Sequence, residues 1–316
     1  MKIVILDAHT LNPGDLSWAA IEQFGETIKY PRTPPHLVIE RCQDAAIVLT
    51  NKSIMNREVI EQLPQLKFIA VTATGHNVVD IEAAKTRGIP VSNVAGYGAI
   101  AVAQHVFALL LELTNQVGIH SESVKQGEWT QASDWCYWKQ PLIELAGLTM
   151  GIVGMGDIGQ RVAKLADAFG MKVIYHSRSP KNMPYQAVEL DTIFTQSDVI
   201  SFHCPLTPET AGLLSAKRLQ EMKSTAFFIN TGRGGLVDEP ALAGALMQKQ
   251  IAGAAVDVLS TEPPKADNPL LTAPNCLITP HHAWGSQAAR QRLMDILVEN
   301  IRCFLAGKPQ NVVNHS

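Results

Sequence analysis

The 316-residue sequence lacks an excess of charge of either sign: 26 lysines and arginines stand against 29 aspartates and glutamates, a formal net charge of −3. Without a basic block there is no electrostatic footprint for nucleic acid, and no such partner is expected. Long apolar runs are missing too. The longest, such as residues 106–111, fall far short of the roughly 20 residues of a membrane span, so no membrane association is expected. The opening Met1-Lys2-Ile3-Val4-Ile5-Leu6-Asp7 is too short for a signal-peptide core and no small-residue cleavage site follows it. Cysteine is sparse, with residues 42, 136, 204, 276 and 303 forming no C-x-x-C pair. That scatter argues against a disulfide framework or a zinc site and for reduced thiols in the cytoplasm. No metal is expected. The absence of H-E-x-x-H and G-x-S-x-G removes any support for a zinc protease or a serine hydrolase. Fixed-period repeats and low-complexity linkers are also absent. What is there is apolar material, 46% of residues, enough for about two cores at roughly 150 residues per domain.

The first ninety residues alternate strand and helix patterns. Short runs rich in Ile and Val predict strands over 2–7, 27–30, 45–49, 66–71 and 90–93, with helical stretches over 15–24, 56–62 and 80–86. Asp80 is an expected N-cap and Gly88 an expected helix stop. Gly96-Tyr97-Gly98 suits a hinge, and residues 99–126 predict one long apolar helix. An aromatic loop follows, holding Trp129, Trp135, Tyr137 and Trp138. A second series predicts strands over 149–153, 172–175, 199–203, 226–229, 254–258 and 276–279, then a C-terminal helix over 286–305. Strands interleaved with helices require parallel sheets with right-handed crossovers. The expected fold class is α/β, with two doubly wound domains.

Gly154-Met155-Gly156-Asp157-Ile158-Gly159 is a G-x-G-x-x-G between a predicted strand and a predicted helix. In a dinucleotide fold the first glycine makes the tight turn, the second admits the pyrophosphate, and the third lets helix and strand pack closely. The helix N-terminus then offers N–H donors to the phosphates. The motif alone is weak; its strand–helix context strengthens it. The next strand leads into Ser177-Arg178-Ser179, where an NAD-binding version carries an acid for the ribose. Arginine beside a hydroxyl suits a 2′-phosphate. NADP(H) is therefore expected to be favoured over NAD(H), the other reading being that Arg178 is a solvated charge. Arg233, Asp257, Glu262 and His281 all stand at or after the carboxyl ends of later strands, the edge where open parallel sheets bind ligands. Arginine can pair a carboxylate and polarise a carbonyl. Histidine can pass a proton near neutrality, and a carboxylate beside it fixes the tautomer. His282 is expected to point away from His281.

Taken together, the glycine motif, residues 230–238 (N-T-G-R-G-G-L-V-D), 257–263 (D-V-L-S-T-E-P), 279–284 (T-P-H-H-A-W) and 203–210 (H-C-P-L-T-P-E-T) resemble the D-isomer-specific 2-hydroxyacid dehydrogenase family over essentially the whole chain. The resemblance implies that Arg233 binds substrate, His281 is the acid/base and Glu262 its partner. Beside Ser177, Arg178 and Ser179, read above from their own chemistry, it implies a cofactor site of Gly154, Met155, Gly156, Asp157, Ile158, Gly159, His203, Cys204, Pro205, Thr210, Thr231, Gly232, Arg233, Asp257 and His281. It implies a Rossmann cofactor domain (residues 97–286) inserted into a flavodoxin-like substrate domain (1–96 plus 287–316), with hinges near 96–98 and 284–286. The N-terminal half is most similar to glycerate dehydrogenases and hydroxypyruvate reductases, through residues 6–18, 48–52 and 71–80. In that setting Thr74 and Gly75 are expected to receive the substrate carboxylate, and Lys52 is a further candidate contact. The implied substrates are small 2-keto and 2-hydroxy acids.

The resemblance further implies a homodimer formed through 99–145, with Trp138 near the partner's substrate pocket; burial of that apolar stretch inside one chain is the alternative. Two positions depart from the family pattern: Ser177 replaces a common aspartate and Gln104 a common glutamate. The same fold also serves dinucleotide-sensing corepressors, and that reading stands as the alternative function. Formate dehydrogenases of the family carry Gln beside the catalytic histidine, and Glu262 argues against one here.

Overall fold

The computed structural model describes residues 1–179 and 181–314. The chain divides into two compact units, one of Met1–Gly98 with the segment from Trp284 onward, the other of Ala99–Ala283.

In the first unit, β1 (Lys2–Ile5), β2 (Glu26–Lys29), β3 (Ile47–Thr50), β4 (Phe68–Val71) and β5 (Val91–Ser92) form one parallel sheet in the order β2-β1-β3-β4-β5. This is the flavodoxin-like order, with its switch point between β1 and β3. The β3 and β4 residues are buried throughout, as a sheet covered on both faces requires. The Asp80 side chain caps the Ile81–Thr86 helix by accepting from the Ala83 N–H, and Gly88 takes φ +64 just past its end. From the other end of the chain, the Gln287–Leu305 helix returns to this unit, stacking Phe304 on Phe68 at 4.4 Å. The expected helix over 15–24 contracts to Ala19–Glu22. Its first half is held as a turn, because Asn12 Oδ1 accepts from the Gly14 and Leu16 N–H groups at 2.9 and 3.0 Å. Asp15 is drawn instead into a bidentate pair with the buried Arg290.

In the second unit, β6 (Thr149–Val153), β7 (Lys172–His176), β8 (Gln186–Ala187), β9 (Val199–Phe202), β10 (Phe227–Asn230), β11 (Gly253–Val256) and β12 (Cys276–Ile278) form a parallel sheet ordered β12-β11-β10-β9-β6-β7-β8. That is the Rossmann order with one more strand on its far edge. Successive strand residues face opposite cores. Ile200, Phe228 and Ala254 join one apolar cluster, while Val199, Ile229 and Ala255 join the other with the Ala99–Asn115 and Asp157–Ala168 helices. Strand β8 escapes a hydrophobic pattern because both its residues are exposed.

The single helix expected over 99–126 is two helices, Ala99–Asn115 and Val117–Lys125. They meet at 57°, where Gln116 adopts the left-handed φ of +52. The Glu112 carboxylate accepts from the Gly118 N–H at 3.1 Å, capping the second helix across the break. Among the described residues no single helix is long and apolar enough to cross a membrane, although this bent pair has the length and composition of a broken span. The first of the two is mostly buried in the unit's own core.

Candidate active site

Within the second unit the glycine loop follows β6 at the switch point, where β9 pairs with β6 on one side and β7 on the other. Gly154 has φ +99, and a Cβ there would lie 2.5 Å from Cys204 N. A Cβ on Gly159 would lie 2.1 Å from the Gly154 carbonyl oxygen. Both glycines are required by the packing of the protein itself. Gly156 is different: a Cβ there would meet nothing within 4 Å. It begins the Asp157–Ala168 helix with no side chain capping the turn. The space and the unsatisfied N–H groups at this helix end fit a phosphate-bearing ligand. Met155 is buried in the core, whereas Asp157 is exposed and pairs with Arg161. Across the sheet the buried Thr231 hydroxyl has no partner among the described residues, and it stands in the loop after β10 that dinucleotide folds turn toward the ligand.

After β7, Ser177 is half-buried and Arg178 and Ser179 are exposed. The Glu209 carboxyl lies below its ordinary range, chiefly through a hydrogen bond with Thr207, and the Arg178 charge also draws it down. The loop after β9 folds on itself. Thr210 donates to the Pro205 carbonyl at 2.7 Å, so its hydroxyl is engaged internally. Burial pushes the His203 imidazole down to about 3 and the Cys204 thiol up to about 11. His203, hydrogen-bonded to Ser201 at 2.9 Å, is therefore neutral near pH 7.

Three neighbouring strands deliver the remaining groups. After β10 the buried Asn230 amide folds the turn, accepting from the Gly232 N–H at 3.0 Å and donating to the Arg233 carbonyl at 2.9 Å. Arg233 is left exposed, its guanidinium bonded to the Gly232 carbonyl at 2.8 Å. After β11, the buried Glu239 holds the loop by accepting from the Ser260 N–H and the Asn268 amide. Glu262 Oε1 accepts from the Leu259 N–H at 3.1 Å, and Oε2 lies 2.6 Å from His281 Nδ1, which follows β12. The carboxylate at Nδ1 fixes the imidazole proton on that nitrogen. His281 sits at φ +52. His282 turns away, as expected, to meet the His105 ring edge-on at 5.0 Å. Asp257 was expected near the cofactor. Its carboxylate is 1% exposed, accepting from Thr279 Oγ1 and from the His282 and Ala283 N–H groups.

In the first unit, the loop after β4 carries Ala73-Thr74-Gly75. Asn51 donates to the Thr72 carbonyl at 3.1 Å and Asn93 to the Thr74 carbonyl at 2.7 Å. The Thr74 hydroxyl is bonded to the Val94 carbonyl at 2.9 Å. The Thr74 and Gly75 N–H groups meet no acceptor among the described residues. Lys52 is exposed in the turn after β3. Asp7 organises that turn: Oδ2 accepts from the N–H groups of Asn51, Lys52 and Ser53 at 2.8–3.0 Å, and Oδ1 from the Ser53 hydroxyl at 2.6 Å. Burial pushes the Asp7 carboxyl up, but these hydrogen bonds outweigh it and hold the group below its ordinary range. Asp7, Glu239, His105 and Thr279 were not singled out as site residues from sequence. Only Asp7, an acid directly after an apolar strand, carried a local signal.

Residues 107–283 match the family model described as the D-isomer specific 2-hydroxyacid dehydrogenase NAD binding domain. The chain is 50% identical to a hydroxypyruvate reductase of Blautia hydrogenotrophica, covering 99% of this chain and 100% of that one. It is 44% identical to a glycerate dehydrogenase of Methylorubrum extorquens, covering 99% and 98%. Among solved structures it is similar to an NADPH-dependent glyoxylate/hydroxypyruvate reductase of Sinorhizobium meliloti, determined with NADP and malonate. There the TM-score is 0.83 and the identity 28%, covering 99% of this chain and 96% of that one.

Proposed function

The chain belongs to the D-isomer specific 2-hydroxyacid dehydrogenase family, and from that premise we propose that it reduces hydroxypyruvate and glyoxylate to D-glycerate and glycolate, reversibly. The observation that carries this reading is the Glu262–His281 pair at 2.6 Å, with Arg233 at the end of the next strand but one. A nicotinamide dinucleotide, when bound, supplies the hydride that reaches the carbonyl carbon. Arg233 pairs the substrate carboxylate and polarises the carbonyl oxygen. His281 Nε2 gives the proton that the developing alkoxide needs, and Glu262 stabilises the imidazolium that precedes the transfer. In the oxidative direction the same nitrogen removes the hydroxyl proton. Thr74 and Gly75 offer their free N–H groups to the substrate carboxylate, and Lys52 adds a positive charge near that loop. That the relatives are a hydroxypyruvate reductase and a glycerate dehydrogenase favours this reading over a protein that only senses dinucleotides.

His281→Ala is expected to lower kcat by on the order of 10²–10⁴ with cofactor affinity nearly intact. His282→Ala is expected to be much milder, and Arg233→Ala to damage both kcat and the KM for the keto acid. Steady-state kinetics with hydroxypyruvate reads all three. A His281→Ala enzyme of undiminished kcat would overturn the assignment.

We propose NADP(H) as the preferred cofactor, held by the glycine loop at its pyrophosphate and by Ser177, Arg178 and Ser179 at its 2′-phosphate. Arg178 is exposed and forms no hydrogen bond to the described residues. A charge-assisted contact there is worth roughly 1.5–3 kcal/mol, or about ten- to a hundredfold in affinity. Titration of NADPH and NADH is expected to show Ser177→Asp with Arg178→Ala shifting preference toward NADH. Gly156→Ala is expected to weaken both cofactors alike without moving the melting temperature, because nothing in the protein crowds its Cβ. Equal wild-type affinities at low salt would mean that Arg178 does not engage the phosphate.

We further propose a homodimer through residues 99–145. Ile100, Val117, Ile119, Trp129, Trp135 and Trp138 are all exposed there, a density of bare apolar side chains that monomers rarely carry. Light scattering at micromolar concentration is expected to give the mass of two chains; the mass of one would contradict the pairing.

A further inference from the structure

We infer that His105 is a positioning residue for His281, acting through Thr279 and Asp257. The inference rests on the acid/base reading of His281 given above. His105 lies on the Ala99–Asn115 helix with its side chain largely enclosed. Its Nε2 is 3.0 Å from Thr279 Oγ1, which in turn lies 2.6 Å from Asp257 Oδ1.

The direction of this chain of hydrogen bonds follows from what each group can do. A carboxylate has no proton to give, so the Thr279 hydroxyl donates to Asp257. The same oxygen then has only lone pairs for His105, so Nε2 carries the imidazole proton. Burial holds His105 below its ordinary range, against the pull of Asp257 and with the help of His282. A neutral ring with its single proton on Nε2 satisfies every group in the chain.

Asp257 also accepts from backbone. Oδ1 accepts from the His282 N–H at 3.0 Å and Oδ2 from the Ala283 N–H at 2.9 Å. These are the first two amides after His281, whose backbone stands in the left-handed region at φ +52. A histidine holds that conformation only where its surroundings enforce it. The two amides clamped on one carboxylate are that enforcement, and the result is Nδ1 set 2.6 Å from Glu262. Without the Thr279 hydrogen bond, which His105 orients, the Asp257 carboxylate is held by the two amides alone and the clamp loosens. The donor atoms of His105, Asp257 and His282 also lie within 4.8 Å of one another. A cation there would have to displace the Nε2 proton and compete with two donors already on Oδ1, so the hydrogen-bonded arrangement is the one these residues are built for.

The test is hydroxypyruvate reduction at saturating reduced cofactor, with His105→Phe, Thr279→Val, their double variant, His105→Gln and His281→Ala. The two single variants are expected to lower kcat by about tenfold each and leave the cofactor KM unchanged, and the double variant to lose no more than the worse single one. His105→Gln, which restores an N–H donor, is expected to recover most of the loss. Should His105→Phe fail to fold, Thr279→Val against Thr279→Ser puts the same question, since serine keeps the hydroxyl. Undiminished kcat in both single variants, losses that multiply in the double, or a Gln variant as poor as Phe would each overturn the inference. If His281→Ala is inactive while His105→Phe and Thr279→Val are fully active, only this inference fails. If His281→Ala retains activity, the acid/base reading itself falls and this inference falls with it.

Discussion

All strand pairs in both sheets run parallel, so within each sheet every strand delivers its carboxyl end to the same edge. The chemistry of the chain depends on that constraint. In the second unit, the pairing of Val153 with Phe202 sets the loop after β6 against the loop after β9. Only glycine tolerates the approach of Gly154 to the His203–Cys204 peptide. The same edge receives Arg233, Glu262 and His281 from three neighbouring strands, although 48 residues of sequence separate the first from the last. In the first unit the edge gathers Asp7, the turn after β3 and the loop carrying Thr74 and Gly75.

Loops crowded at such an edge present many backbone N–H groups that no ladder satisfies. Three carboxylates answer this in the same way. Asp7 gathers three consecutive amides after β3, Glu239 takes the Ser260 N–H and the Asn268 amide, and Asp257 clamps the two amides after His281. None of these acids is spent on a lysine or arginine. Their charge is stabilised by oriented N–H and O–H dipoles, which fix loop shape where an ion pair to a flexible side chain would not. Glu262 combines both tasks, holding the Leu259 N–H with one oxygen and His281 with the other.

Much of this was legible in the sequence wherever the determinant was local. Strands in both sheets announced themselves as short apolar runs, Asp80 and Gly88 as cap and stop, and the glycine loop through its position between strand and helix. Glu262 and His281 were readable as a pair through the family resemblance, not through spacing. What escaped detection either carries no local pattern or depends on contacts distant in sequence. The break at Gln116 interrupts a pattern that is apolar on both sides, and its cap comes from a glutamate that reads as an ordinary helix residue. Strand β8 has no apolar signal, being two exposed residues on an edge. Asn12 turns residues 12–16 locally, but Asp15 is held by Arg290 from 275 positions away. His105 reads as a polar interruption of an apolar helix until Thr279 is placed beside it.

Proton delivery by His281 and carboxylate capture by Arg233, as proposed, present a 2-keto acid in one orientation only. The configuration of the product tests this most directly. Wild-type protein incubated with hydroxypyruvate and reduced nicotinamide dinucleotide, followed by chiral separation of the glycerate formed, is predicted to yield the D-isomer alone. Formation of L-glycerate or a racemate, or no oxidation of the cofactor, would contradict the account.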